Sequence, residues 1–105
     1  MLLMNVGLSF LEKLCNAPGV TGFEGDVQTI LRAELEEIGT EIVTDNLGSI
    51  IAKVGNKGPK VMVAGHMDEI GFMVRLITKE GFIRFSALGG WWDQVLLSQR
   101  VAVYG

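Results

Sequence analysis

Val61-Met62-Val63-Ala64-Gly65-His66-Met67-Asp68-Glu69 is the stretch on which the reading of this chain turns. Four consecutive apolar residues without polar alternation predict a strand covered on both faces, as in the parallel sheets of α/β proteins. That strand runs straight into one imidazole and two carboxylates. In open α/β sheets, ligands bind just beyond the carboxyl ends of strands. Ionisable groups at the mouth of an apolar strand cost free energy unless they gain partners. One such partner is a divalent metal ion: imidazole suits zinc or cobalt, and a nearby carboxylate fixes the ring's tautomer. The other possibility is a polar strand end with ordinary hydrogen bonds. Spacing alone leaves both open, because a zinc site needs several ligands and the chain has a single histidine.

Upstream, the pattern is helical. Ser9-Phe10-Leu11-Glu12 fits a capping box, serine at the N-cap and glutamate three residues on, and predicts a helix to about Asn16. Phe10, Leu11 and Leu14 share one face of it, and Cys15 reads as buried packing rather than a nucleophile. Ala17-Pro18-Gly19-Val20 stops this helix, and Thr21-Gly22-Phe23-Glu24 is a second capping box. Val27, Ile30, Leu31, Leu35 and Ile38 then form a single apolar stripe, flanked by Glu34, Glu36 and Glu37 as a solvated face. Gly39 is placed to cap the C-terminus. Residues 41–45 and 49–54, around the turn Asn46-Leu47-Gly48, predict a hairpin.

Downstream, the pattern is all β. Residues 72–77 and 82–87 flank the turn Lys79-Glu80-Gly81, a second hairpin. Trp91 and Trp92 sit in a glycine-led loop, with core packing the default for such bulk. Residues 101–104 read as one more strand. An α/β portion thus hands over to a β-rich portion near Gly71.

Composition narrows the class. With 105 residues, 49% hydrophobic and 20% charged, the chain falls among globular domains. A net charge of -3 supplies no basic footprint, so nucleic acid is not expected as a partner. No apolar run is long enough to span a bilayer, so no membrane partner is expected. The apolar start Met1–Gly7 lacks the positive residues of a signal peptide. A lone cysteine excludes an internal disulfide and fits a cytoplasmic location.

Four stretches together resemble the N-terminal part of the dinuclear-metal aminopeptidases, a family of glutamyl aminopeptidases, tetrahedral aminopeptidases and proteins that have carried the name endoglucanase. They are residues 17–24, Ala-Pro-Gly-Val-Thr-Gly-Phe-Glu; residues 45–49, Asp-Asn-Leu-Gly-Ser; residues 58–62 running into His66-Met67-Asp68-Glu69-Ile70-Gly71-Phe72-Met73-Val74; and Gly89-Gly90-Trp91 with Gln99-Arg100-Val101. The match around His66 is the most specific. The resemblance implies that His66 binds one of two divalent metal ions, zinc or cobalt, and that Asp68 is the catalytic-site residue orienting it. It gives Glu69 no metal role. The bridging aspartate, catalytic glutamate and remaining ligands are implied to lie beyond Gly105. In such enzymes the metals hold the substrate's free amine, polarise its scissile carbonyl and activate a water, with a glutamate as general base.

The implied fold is α/β. Residues 1–70 would be the N-terminal part of the catalytic domain, and 71–105 the start of an inserted β-barrel-like dimerisation domain. The implied function is a metal-dependent aminopeptidase acting on peptides, assembled as a homo-oligomer whose dimers build a larger shell. The 105 residues alone, with one ligand, are expected to be inactive. The alternatives are a related dinuclear hydrolase, dipeptidase or deacylase, and a non-catalytic assembly module.

Overall fold

The computed structural model describes residues 2–39 and 41–105, and the side chains from residue 7 onward outside position 40. The chain divides into two compact units, residues 1–68 and 69–105. Met1 of the apolar opening lies outside the described residues.

In the first unit, helix α1 spans Leu2–Asn16 and helix α2 spans Gly25–Glu37. Helix α1 begins well before the expected cap at Ser9, which lies inside it. Leucine and methionine favour helix strongly enough to carry the chain past Gly7. Cys15, expected inside, is exposed. Phe10 and Leu14 are half-buried, while Leu11 is exposed. On α2 the expected stripe is present in graded form. Val27 is buried, Ile30, Leu31 and Leu35 are half-buried, and Ile38 is exposed just past the helix end. Glu36 and Glu37 are solvated, but Glu34 is half-buried. Gly39 closes the helix in the left-handed conformation, φ 75°, its N–H donating to the Glu36 carbonyl at 3.0 Å.

Strands β1 (Glu41–Thr44) and β2 (Ile50–Lys53) pair antiparallel, Glu41 opposite Lys53 and Thr44 opposite Ile50. The turn follows from local chemistry. Asp45 Oδ1 accepts from the backbone N–H of Leu47 and of Ser49, each at 2.9 Å. Gly48 supplies the positive φ of 89°. Helix α2 packs against this hairpin.

The expected central strand is not formed. Residues 61–64 make no strand, and Val61, Met62 and Val63 are 84%, 89% and 94% exposed. A strand exists only through the ladder that satisfies its backbone groups, and no described strand pairs with this run. Its apolar character therefore has nothing to pack on.

In the second unit, β3 (Gly71–Ile77) and β4 (Ile83–Leu88) form the second expected hairpin. A bulge falls between Val74 and Leu76. Thr78 ties the turn: its backbone N–H donates to the Phe82 carbonyl at 2.8 Å, and its hydroxyl accepts from the Phe82 N–H at 3.2 Å. Phe72 anchors a small aromatic cluster, its ring 4.7 Å from those of Phe85 and Trp91. Trp91 also donates from Nε1 to the Gly71 carbonyl at 3.0 Å, which secures the loop to β3. Trp92, by contrast, is 78% exposed. Residues 101–104 form no strand, for the same want of a ladder partner.

Val27 is the only buried hydrophobic among the described residues. The chain exposes 9512 Å², whereas two separate compact bodies of these sizes would expose about 6,900 Å².

Candidate functional site

The site lies where the α1–α2 connection meets the segment following the exposed apolar run. Gly19 is buried, and a Cβ there would stand 2.7 Å from Val27 Cγ2 and 3.6 Å from the Met67 carbonyl oxygen. Only glycine lets this connection sit against both the core residue and the backbone between His66 and Asp68.

His66 Nδ1 lies 2.9 Å from Asp68 Oδ1 and 3.2 Å from the carbonyl oxygen of the same residue. A carbonyl only accepts, and so does an ionised carboxylate. Nδ1 is therefore a nitrogen that carries a hydrogen, and in the neutral ring Nε2 then keeps its lone pair. Among the described residues nothing hydrogen-bonds Nε2, and the His66 side chain is 86% exposed. The Asp68 side chain is 34% exposed. Its second oxygen, Oδ2, accepts from the Thr21 hydroxyl at 2.6 Å. The Thr21 hydroxyl, and after it the His66 ring, hold the Asp68 carboxyl below the ordinary carboxylate range.

Thr21 corrects one sequence expectation. Gly22 follows it with φ 87°, which is not a helical conformation, so Thr21 does not cap α2. The helix is entered at Glu24 instead, and Glu24 Oε1 accepts from the Gly22 N–H at 2.7 Å. The hydroxyl is thereby released to the carboxylate 47 residues along. Beside the pair lies an open cleft of about 210 Å³, lined among others by Glu24, Gln28, Ser49 and His66.

A divalent metal can be tested against these residues. A neutral imidazole with Nδ1–H held by a carboxylate and Nε2 open to solvent is the arrangement in which histidine ligates. The fit is that of one ligand, since among the described residues no group of three histidine, cysteine, aspartate or glutamate side chains could hold an ion.

Comparison with known proteins identifies the family. Residues 48–105 match the family model described as M42 glutamyl aminopeptidase. The FrvX protein of Escherichia coli (strain K12), named provisionally as an aminopeptidase, is 52% identical over 100 residues, covering 95% of this chain and 28% of that protein. The lysyl aminopeptidase of Pyrococcus furiosus is 35% identical over 100 residues, 94% of this chain and 29% of that one. The crystal structure of a TET aminopeptidase from a marine sediment archaeon of the Thaumarchaeota superposes with a TM-score of 0.82 at 44% identity, covering 88% of this chain and 26% of that one. These similarities define a peptidase-class α/β chain. It belongs to the M42 glutamyl aminopeptidase family, and its two helices and two small sheets are consistent with the start of that family's peptidase domain. The family implies the use of divalent metal. The chain spans less than a third of the length of these relatives.

Proposed function

We propose that this chain is the opening part of a metal-dependent aminopeptidase that releases N-terminal residues from peptides. His66 supplies one metal ligand through Nε2, and Asp68 is the positioning residue that holds the ring. The observation that carries this reading is the His66–Asp68 pair, with Nδ1 engaged at 2.9 Å and the ring otherwise solvent-facing. When bound, two divalent ions, zinc or cobalt, would hold the substrate amine and polarise the scissile carbonyl. What this chain contributes is a fixed tautomer and a fixed ring orientation, which spare the ligand reorganisation as the ion binds. The remaining ligands and the general base would come from the part of the protein that the relatives have beyond this span. The preferred N-terminal residue does not transfer, since the family description says glutamyl and a relative is lysyl.

On the same reading, residues 1–70 are the N-terminal part of the catalytic domain. Residues 71–105 begin an inserted β-barrel-like domain through which dimers form and build a larger shell. A cytoplasmic location accords with a lone, exposed cysteine and with the absence, among the described residues, of any helix long and apolar enough to cross a membrane.

The test uses a full-length protein containing this segment. His66→Ala should lose bound metal and most hydrolysis of amino-acid p-nitroanilides, by well over the roughly ten- to hundred-fold typical of losing a supporting residue. Normal turnover with normal metal content in the variant would remove His66 from the ligand set.

A further inference from the structure

Asp68 has two carboxylate oxygens, and the site uses both. Oδ1 receives the His66 Nδ1–H at 2.9 Å, and Oδ2 receives the Thr21 hydroxyl at 2.6 Å. We infer that Thr21 is a positioning residue for the His66–Asp68 pair, the far end of a Thr21–Asp68–His66 relay that selects the imidazole tautomer and aims Nε2. The inference rests on the reading of His66 as a ligand and adds to it a residue from a distant loop.

An aspartate side chain turns about two bonds. A carboxylate bound through one oxygen can swing and carry its partner with it, whereas one held at both oxygens has its plane fixed. Threonine suits the task because its β-branch restricts χ1. A hydroxyl, moreover, donates to an acceptor-only carboxylate without adding charge. The loop that presents Thr21 is itself tied down. The Phe23 N–H donates to the Val20 carbonyl at 2.7 Å, the Gly22 N–H donates to Glu24 Oε1 at 2.7 Å, and Gly19 rests against Val27 and the Met67 backbone. None of these contacts uses the Thr21 hydroxyl. Without the bond from Thr21, Asp68 keeps its charge but loses the constraint on its plane, and its hydrogen bond to His66 Nδ1 is made only part of the time. While that bond is open, the ring can take the tautomer with hydrogen on Nε2, in which Nε2 has no lone pair to offer.

The chain's single histidine makes the test unambiguous. Long-range 15N–1H correlation spectra of the intact chain, at a pH above the usual imidazole range near 6.5, report the tautomer of His66 directly. The native chain and Thr21→Ser should show predominantly Nδ1–H. Thr21→Val, of similar shape but without the hydroxyl, should shift the ring toward Nε2–H. Zinc titration followed at the same resonances should show affinity weakened by about ten-fold in Thr21→Val, the lower end for loss of a supporting partner, and restored in Thr21→Ser. An unchanged tautomer and unchanged zinc response in Thr21→Val would overturn the inference. If Thr21→Val does not fold, the native chain still decides: three-bond couplings must show one χ1 rotamer for Thr21, and rotamer averaging overturns the relay. Should the tautomer follow Thr21 while zinc leaves His66 unperturbed in every variant, the relay stands, and loss or retention of metal in the full-length His66→Ala protein decides the ligand reading.

Discussion

Residues 61–63 and 66–68 are neighbours in sequence and opposites in structure. The first group is apolar and 84–94% exposed. The second carries two polar side chains tied by hydrogen bonds, His66 to Asp68 and Asp68 to Thr21. The two groups differ because they depend on different things. A hydrogen-bonded relay needs only its own three residues and a loop to present them, all of which this chain contains. A central strand needs neighbours on both edges and layers on both faces, and none of the described strands supplies them. Polar geometry is local here, whereas burial depends on the rest of the fold.

That contrast can be broken from either side. The largest effect is expected at the polar group. In a full-length protein, Asp68→Asn should preserve folding and weaken metal affinity by roughly ten- to a hundred-fold, since the amide keeps one acceptor but loses the charge that favours Nδ1–H. Metal dialysis with elemental analysis reads this, and unchanged affinity would reduce Asp68 to a bystander. A smaller effect is expected at the apolar group. Val61, Met62 and Val63 offer contiguous apolar surface that favours association with other chains. Val63→Lys should therefore weaken concentration-dependent self-association of the 105-residue chain by about ten-fold, as burial of one valine is worth about 1.5 kcal/mol or more. Light scattering across a dilution series reads this, and a strictly monomeric parent chain would show that the surface is not sticky.

The smallest effect sharpens the point that local polar geometry stands by itself. Hydrogen bonds from Ser49, and after them Leu47 and Gly48, hold the Asp45 carboxyl below its ordinary value of 3.8. A carboxyl whose folded pKa is depressed contributes stability above its unfolded pKa and loses it as pH falls through the folded value. The β1–β2 turn should therefore keep its geometry down to about pH 3.8 and loosen below it, visible in the amide shifts of Leu47 and Ser49. Asp45→Asn, which retains an oxygen acceptor, should show no such transition.

Much of this was legible in the sequence because its causes are short-range. Asp45 with Gly48, and Thr78 with Gly81, specify their turns within five residues, so both hairpins are where the pattern places them. The His66–Asp68 pair is likewise two residues apart. Thr21 escaped because Thr-Gly-Phe-Glu matches a capping box, and only the positive φ of Gly22 reveals that the hydroxyl is not spent on the helix. The strand expected at 61–64 has the right composition, but composition reports what a segment would bury, not whether a partner is present. The same holds for 101–104 and for Trp92, while Trp91 is held because Phe72 and the Gly71 carbonyl are at hand.

On the proposed function, His66 offers Nε2 to a metal while Asp68 holds Nδ1. Anomalous diffraction at the zinc edge from a zinc-loaded crystal of a full-length protein containing this segment tests it most directly. The expected result is an anomalous peak bonded to His66 Nε2, with Asp68 still on Nδ1 and Thr21 still on Asp68. A peak on Nδ1 with Asp68 turned away, or metal bound elsewhere with His66 untouched, would contradict it.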